Sequence, residues 1–116
     1  MKKFIRSFTY AFKGIATAFK SEFNLRFHCI ATLIVIIAAI FFQVNRMQFC
    51  VLLLCCGFVI TAEIFNTAIE TLTNLVSPAE NNLARKTKDM AAAAVLIAVI
   101  TSVIVGVVIF LPKIMW

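Results

Sequence analysis

The sequence MAAAAVLIAVITSVIVGVVIFL, from Met90 to Leu111, is almost entirely apolar and carries no charged side chain. A helix of roughly 20 apolar residues crosses a bilayer, so this stretch is long enough to span a membrane by itself. Pro112 follows directly, and we expect it to end the helix because proline cannot continue the hydrogen-bond ladder. The sequence therefore predicts a transmembrane helix over residues 90–111.

Two further apolar stretches precede it, at residues 28–45 and 47–70, and both need part of their polar flanks to reach the length of a span. Hydrophobic residues make up 63% of the 116 residues and charged residues 14%, and the mean hydropathy is +1.03, far from the balance of a globular protein. We predict an all-α membrane protein with three transmembrane helices, in a single domain over residues 1–116.

The first 25 residues form a separate amphipathic segment. Apolar side chains recur every three or four positions, and basic side chains recur every seven positions on the opposite face. This pattern is typical of a helix that lies in the membrane surface, so a surface helix is predicted over residues 1–25. For the basic residues taken singly, the alternative is a plain surface anchor. The apolar positions are Phe4, Phe8, Phe12, Ile15 and Phe19, and the basic positions are Arg6, Lys13 and Lys20.

Basic residues also predict the orientation of the chain. Most of them precede the first span or lie between the second and third spans, whereas the other loops carry only Arg46 and Lys113. Loops rich in lysine and arginine stay on the cytoplasmic side, so the N-terminus and the loop at about residues 71–89 should face the cytoplasm.

Three polar side chains line one face of the second span. At about 100° per residue, Glu63, Asn66 and Glu70 fall within about 60° of one another. No basic residue lies in this span, and a carboxylate in lipid costs several kcal/mol unless a charge meets it, so a ligand is predicted there. Counted from Met47 at the outer surface, Glu63 lies about 24 Å further in, near the cytoplasmic edge of the hydrocarbon.

Other charged residues have both a functional and a structural interpretation. Glu22 projects from the phenylalanine face of the surface helix toward the bundle, or it is a first-turn acid behind a Ser21 N-cap, or an i,i+4 partner of Arg26. Lys88 and Asp89 lie at the cytoplasmic mouth of the third span, level with the acidic face, or they only flank the span.

Some residues are assigned structural roles. Ser77, Pro78 and Glu80 match a capping box with proline at the first helical position, so Glu80 is predicted to cap a helix and is left out of the site. A lone histidine at the start of a span is usually structural, and this is the favoured interpretation of His28. Trp116 is expected to be an interfacial anchor.

The composition excludes several chemistries. With three glycines and one histidine, the chain has no phosphate-binding glycine loop, no dinucleotide fingerprint and no Ser/His/Asp triad. A cluster of carboxylates and lysine at a membrane surface suits Mg²⁺ and a phosphate ligand, because oxygen donors hold the ion and its charge offsets theirs. The residues indicate a metal and phosphate site beside lipid.

The stretch EIFNTAIE, from Glu63 to Glu70, and ARKTKDMAAAAVL, from Ala84 to Leu96, resemble the signature of the prokaryotic diacylglycerol kinase family, which includes the undecaprenol kinases. The similarity extends to SEFNLRFH, from Ser21 to His28, and covers nearly the whole chain. It implies a small lipid kinase, typically a homotrimer, that moves the γ-phosphoryl group of MgATP to a lipid hydroxyl. It also implies the bacterial cytoplasmic (inner) membrane, with the active site facing the cytoplasm and no nucleic-acid partner.

The resemblance implies a role for each candidate residue, carried over by position. Glu63 would be the general base on the lipid hydroxyl, and Glu22 and Glu70 would hold Mg²⁺. A site shared between subunits is reasonable, since three spans make a thin bundle. The remaining residues would bind ATP or orient groups around it: Asn66, Lys88, Asp89, Lys3 and Arg6.

The chain departs from the family pattern in two places. Residues 79–82 read AENN where many members have an acidic, aromatic and histidine run, which leaves the adenine contacts open. His28 stands where the diacylglycerol-specific branch tends to have an acid, and Asn24-x-Arg26-x-His28 looks more like the branch with undecaprenol kinases. Diacylglycerol and undecaprenol both remain as candidate substrates.

Two other classes of function fit the acidic face. A small proton-coupled multidrug exporter would use Glu63 to bind a drug in exchange for protons, but it needs this acid near mid-membrane and does not need Lys88 and Asp89. A structural membrane subunit would instead pair its carboxylates with the cations of a partner.

Overall fold

A computed structural model describes residues 1–115, which form four α-helices and contain no β-strand. The all-helical architecture expected from the sequence is confirmed. Trp116, expected to be an anchor, lies outside the described residues. The helices are α1 (Lys2–Ser21), α2 (Phe23–Phe41), α3 (Arg46–Val76) and α4 (Asn82–Met115).

Helices α2, α3 and α4 are each long and apolar enough to cross a membrane. With 19 residues, α2 is about 28 Å long and matches the roughly 30 Å hydrocarbon core. With 31 and 34 residues, α3 and α4 are about 46 and 51 Å long, so both extend beyond the core. The protein is therefore a three-span membrane protein whose longest helices carry polar residues past the hydrocarbon.

Helix α1 is the predicted amphipathic segment. Residues 1–17 are all exposed, and Ala18 is the buried residue of this helix. Within residues 1–115, the backbone of α1 approaches those of α2 and α3 but not that of α4. The C-terminal end of α1 therefore attaches to the bundle, while the rest of its phenylalanine face is free to lie against lipid.

A one-residue break separates α1 from α2. Glu22 has an extended backbone, with φ −118° and ψ 115°, and is itself the N-cap residue of α2. Ser21 is the last residue of α1, so the alternative in which Glu22 is a first-turn acid behind a Ser21 N-cap does not hold. The Arg26 guanidinium does not pair with Glu22: its Nη1 donates to the carbonyls of Phe19, at 2.8 Å, and Lys20, at 2.9 Å. Two carbonyls at the end of α1 are thereby satisfied.

The turn between α2 and α3 sets where the first span ends. Helix α2 ends at Phe41, four residues before the predicted end at residue 45, because Gln43 takes a left-handed conformation with φ 53°. Asn45 then forms a capping box at the start of α3: its side chain accepts from Gln48 N at 2.8 Å, and the Gln48 side chain accepts from Asn45 N at 3.1 Å.

The beginning of α4 differs from the sequence prediction. Glu80 does not cap a helix; Asn81 does, and its side-chain oxygen accepts from Ala84 N at 2.8 Å. The Ser77 hydroxyl is unavailable for a cap because it donates to Ala79 O at 2.8 Å and accepts from the Asn81 side chain. The loop turn uses the hydroxyl that the predicted capping box required.

The end of α4 also differs. Pro112 lies inside the helix and does not stop it at Leu111. Only three helical residues follow the proline, so the missing bond to the Val108 carbonyl leaves the rest of the ladder intact.

Helices α3 and α4 pack against each other as an antiparallel pair along the small side chains of α4. Ala91 and Ala98 are buried, and the Ser102 hydroxyl donates to Ala98 O at 2.8 Å and approaches Cys55 O of α3 at 3.3 Å. Such small residues let two backbones come close, which compensates for the absence of a hydrophobic driving force in lipid. A second contact, nearer the α2–α3 turn, joins Ala39, Leu52 and Ile109.

Candidate functional site

The acidic face of α3 forms a connected set of side chains. Glu63 is 1% exposed and Asn66 is 7% exposed, the two buried polar residues in the described part of the chain. The Asn66 side-chain amide donates to Glu70 Oε1 at 3.0 Å. The helical spacing seen in the sequence thus brings a buried carboxylate, an amide and a half-buried carboxylate into one row.

Two oxygens in this row are buried without a hydrogen-bond partner: Glu63 Oε1 and Asn66 Oδ1. A buried acceptor left unsatisfied costs about 1–3 kcal/mol, and more for a charged group. Native proteins retain few such atoms, and those that persist are often functional. Both oxygens are suited to receive a group that the chain itself does not supply.

Other elements converge on Glu63. From α2, His28 Nε2 lies 3.9 Å from Glu63 Oε2, and the Asn24 side chain lies near the same carboxylate. Glu22, at the junction of α1 and α2, also lies close enough to interact with Glu63 through its charge. The structure thus places Glu22 near the row of Glu63, Asn66 and Glu70. Helical spacing predicted the row, whereas the position of Glu22 toward the bundle was one of three alternatives.

Sequence reasoning gave Asn24 and His28 too little weight. Asn24 was not proposed as a site residue, and His28 was interpreted as structural. Their spacing of four residues places both side chains on one face of α2, but it does not show that this face meets Glu63.

The carboxylates of Glu22, Glu63 and Glu70 form an acidic cluster. In the described part of the chain, no lysine or arginine nitrogen lies within 4.0 Å of their oxygens. Within that distance, the basic side chain that approaches the cluster is His28, whose Nε2 lies 3.9 Å from Glu63 Oε2. An external cation fits this arrangement, because buried charge needs a partner.

Mg²⁺ is compatible with this donor set. Residues 1–115 contain no group of three or more acidic, histidine or cysteine side chains arranged to enclose a metal ion. Mg²⁺ does not require such a cage, since it is usually held by one or two carboxylates and completes its shell with phosphates and water. The Glu22 and Glu70 carboxylates would supply that number of oxygen ligands, and the unpartnered Asn66 Oδ1 would add a neutral oxygen.

Lys88 and Asp89 line a separate polar cleft of about 280 Å³ at the α3–α4 loop. Asn74, which also lines it, is one helical turn beyond Glu70 on nearly the same face of α3. The cleft thus continues the acidic row past the end predicted for the second span, with Lys88 as a cation and Asp89 as an acceptor.

Lys3 and Arg6 are not brought to the other site residues within one chain. They lie 19 and 16 residues before Glu22, which is about 28 and 24 Å along α1. The backbone of α1 does not approach that of α4, which carries Lys88 and Asp89, anywhere in residues 1–115. A single chain therefore presents these two cations apart from the cluster around Glu63.

An apolar groove of about 300 Å³ runs between α2, α3 and α4, and His28 is part of its lining. Two hydroxyls in the lining are already bonded within the chain, Thr32 to His28 O at 2.8 Å and Ser102 to Ala98 O at 2.8 Å. The groove therefore offers mainly hydrocarbon along its length and an imidazole at the end near Glu63. A buried carboxylate beside an apolar groove is suited to act on a polar group carried by a lipid.

Comparison with known proteins agrees with this chemistry. The sequence profile described as prokaryotic diacylglycerol kinase matches residues 9–110, which include every candidate site residue except Lys3 and Arg6. The undecaprenol kinase of Bacillus subtilis is 34% identical over 113 residues, 97% of this chain and 92% of the relative.

Two diacylglycerol kinases are also similar. That of Synechocystis sp. is 38% identical over 110 residues, 94% of this chain and 63% of the relative. That of Escherichia coli is 31% identical over 102 residues, 88% of this chain and 84% of the relative. By the profile match and by these relatives, the chain belongs to the prokaryotic diacylglycerol kinase family of membrane lipid kinases.

Proposed function

We propose that this kinase uses Mg²⁺ and ATP to phosphorylate the hydroxyl of a membrane lipid, either diacylglycerol or undecaprenol. The observation that carries the proposal is the position of Glu63. Its Oε1 atom is buried and has no partner, it lies beside an apolar groove, and the row of polar residues on α3 leads from it to a polar cleft. A carboxylate in this position can meet a lipid hydroxyl from one side and a phosphate from the other.

Glu63 is the general base of the proposed reaction. A base must come within about 2.6–3.2 Å of the hydroxyl whose proton it accepts. As the lipid oxygen bonds to the γ-phosphorus of ATP, its proton passes to the Glu63 carboxylate. The bond from the γ-phosphorus to the bridging oxygen breaks, and ADP leaves with that oxygen.

Glu22 and Glu70 are the proposed protein ligands of Mg²⁺. When bound, the ion offsets the charge of the phosphates and of the acidic cluster. Asn66 donates to Glu70 Oε1, which fixes that carboxylate and leaves its other oxygen for the metal. Asn66 therefore orients the site without taking part in proton transfer.

Lys88 and Asp89 are the proposed nucleotide residues. The Lys88 ammonium is a point charge that suits phosphate oxygens, and Asp89 accepts hydrogen bonds beside it in the same cleft. Phosphoryl transfer then depends on positioning and charge neutralisation, for which no glycine-rich loop is necessary.

We further infer that Lys3 and Arg6 act across a subunit boundary, in a homotrimer. The distance of about 24–28 Å that separates them from Glu22 along α1 supports this arrangement, since a neighbouring protomer can supply what one chain holds apart. The proposed setting is one domain over residues 1–116 in the bacterial inner membrane, with its N-terminus and active site toward the cytoplasm. The lysine and arginine content of the N-terminal segment and of the α3–α4 loop supports this orientation.

A direct assay tests the proposal. Purified protein in mixed detergent micelles is given γ-labelled ATP and Mg²⁺, with diacylglycerol and undecaprenol in parallel reactions. We expect label in one lipid or both, no label without Mg²⁺, and only a trace of label with Glu63→Gln, which keeps the size of the side chain but cannot serve as the base.

Near-normal transfer by Glu63→Gln would reject its role as base. Labelling of neither lipid, together with pH-dependent binding of a lipophilic cation, would favour the exporter, an alternative for which the relatives give no support.

A further inference from the structure

His28 has an unusual position for a histidine at the start of a transmembrane helix. Its side chain is 15% exposed, and its Nε2 lies 3.9 Å from Glu63 Oε2, whose side chain is 2% exposed. The ring also packs edge-on against Phe27, with the ring centroids 5.7 Å apart. The imidazole is thus held between a neighbouring aromatic ring and the proposed base.

The two oxygens of the Glu63 carboxylate have different surroundings. Oε2 is the oxygen that faces His28, whereas Oε1 is buried without any hydrogen-bond partner. A contact of 3.9 Å is longer than the 2.7–3.2 Å of an N–H···O hydrogen bond. The two groups would form a hydrogen bond if they moved about 1 Å closer. Hydrogen bonds of catalytic groups are often long before substrate binds and shorten in the reacting complex.

His28 also belongs to the wall of the apolar groove between α2, α3 and α4. Thr32 and Ser102, which line the same groove, direct their hydroxyls to main-chain carbonyls and offer no donor to Glu63. Asn24, one turn before His28, is the other side chain of α2 near the carboxylate. Of the residues that line the groove, His28 alone can orient the carboxylate by donation to Oε2.

We propose that His28 is a positioning residue for the base. In its neutral form with the proton on Nε2, the imidazole donates to Glu63 Oε2 and turns the carboxylate so that Oε1 receives the proton of the lipid hydroxyl. The inference rests on the proposed role of Glu63. The competing role is packing, in which the ring only fills the wall of the groove.

Two substitutions separate these roles because each keeps a different property of histidine. His28→Phe keeps a ring and its packing but has no donor, whereas His28→Gln keeps a side-chain N–H near the place of Nε2 but has no ring. If His28 positions the base, kcat should fall roughly 10–100-fold in His28→Phe, the effect typical of a lost orienting partner. His28→Gln should retain most of the wild-type kcat. In both variants the KM for lipid should stay close to that of the wild type.

A packing role predicts the reverse order, with His28→Phe active and His28→Gln impaired, and this result would overturn the proposal. An increase in the KM for lipid at unchanged kcat would also overturn it, because His28 would then contact the substrate directly. Ile30→Leu is the matched control on α2, since Ile30 is 61% exposed and lies away from Glu63. If His28→Phe does not assemble, His28→Leu provides a second variant without a donor.

A double variant distinguishes failure of this inference from failure of the proposed function. In the Glu63→Gln background, His28→Phe should cause no further loss of the residual rate, because residues that act as a unit are not additive. A further loss would show that His28 acts independently of Glu63, and the inference would fail while Glu63 remained the base. Absence of lipid phosphorylation by the wild-type protein would instead reject both.

Discussion

At the scale of single residues, the site depends on side chains that one chain leaves incompletely bonded. Glu63 Oε1 and Asn66 Oδ1 are buried without partners, and the carboxylates around them have no lysine or arginine partner in the described residues. Such an arrangement lowers stability unless a ligand completes it. Proteins commonly accept a cost of this kind at functional sites, where the groups are held ready for substrate.

The first prediction concerns the metal. Glu70→Gln removes one carboxylate charge but keeps an oxygen that accepts from Asn66, so the row of side chains on α3 should remain in place. We expect the Mg²⁺ concentration for half-maximal activity to rise severalfold, with partial recovery of kcat at saturating Mg²⁺, because a neutral amide oxygen is a weaker ligand. A metal titration of lipid phosphorylation measures the change. Thr71→Ala, at the exposed neighbouring position, is the control, and an unchanged titration of Glu70→Gln would exclude Glu70 as a ligand.

Periodicity explains how much of this site was visible in the sequence. Glu63, Asn66 and Glu70 could be grouped because a helix places positions three, four and seven apart on one face. Asn24 and His28 could not be grouped with Glu63 from the sequence, because their approach to Glu63 depends on how α2 is rotated against α3. That rotation is set by packing between helices, which hydropathy along one helix does not specify.

At the scale of elements, the junction between α1 and α2 fixes the position of Glu22. The chain is extended for one residue, and the Arg26 side chain bridges the break by donating to the carbonyls of Phe19 and Lys20. The main chain of Glu22 is held as well, since its N–H donates to Ala18 O at 2.9 Å and its carbonyl accepts from Arg26 N at 3.4 Å. Arg26 is absent from the set of proposed catalytic residues, but the position of Glu22, a proposed metal ligand, depends on the junction that Arg26 bridges.

A second prediction follows for Arg26. Arg26→Gln shortens the side chain and removes the charged donor, so the two carbonyls lose their shared partner and Glu22 gains freedom. We expect a higher Mg²⁺ requirement, in the same direction as Glu22→Gln, without loss of assembly in detergent. The double variant should be no worse than Glu22→Gln alone if Arg26 acts through Glu22. Additive effects of the two substitutions would contradict this relation.

The opposite end of the bundle supports a third prediction, on stability alone. Asn45→Ala removes the side-chain acceptor of the capping box at the start of α3, which should cost about 1 kcal/mol in the free energy of unfolding. Asn45→Ser keeps a capping oxygen and is the matched control. Since Glu63 lies about 27 Å away along α3, lipid phosphorylation should not change in either variant. Denaturant unfolding in mixed micelles measures the difference, and equal stability of the two variants would reject the cap as a stabilising feature.

Helix ends were harder to predict than helices because local signals compete for the same groups. The residues Ser77 and Glu80 have the spacing of a capping box, but the loop turn occupies the Ser77 hydroxyl and Asn81 forms the cap. Pro112 interrupts one backbone bond but lies too close to the end of α4 to terminate it. Long apolar runs, by contrast, identified all three spans, since bilayer thickness sets their minimum length.

At the scale of the whole molecule, one chain is thin. Its principal extents are 54 × 43 × 20 Å, and most of its large apolar side chains are exposed within one protomer. In a membrane, lipid or another protomer covers such surfaces. The proposed trimer would provide a second protomer, and it would also bring the basic N-terminal end of α1 to the site of another chain.

The last prediction tests this sharing by mixing inactive variants. A double variant, Lys3→Ala with Arg6→Ala, loses these two cations of α1 but keeps Glu63. Glu63→Gln keeps the two cations but lacks the proposed base. If Lys3 and Arg6 of one protomer act at the cluster around Glu63 of the next, a mixed trimer contains one site in which the two cations and Glu63 are all present. Co-expression with two affinity tags and purification through both should then restore about one third of wild-type activity, since a closed ring of three has one such boundary.

The control for this experiment is a mixture of Glu63→Gln with Glu22→Gln. These residues approach each other within one chain, so no site in the mixed trimer is intact and the activity should not exceed that of Glu22→Gln alone. Absence of recovery in the first mixture, with the trimer intact, would mean that each chain holds a complete site. Full activity of the Lys3→Ala, Arg6→Ala double variant by itself would remove both residues from the nucleotide site. In either case the proposed function of Glu63 would stand, because it rests on contacts made within a single chain.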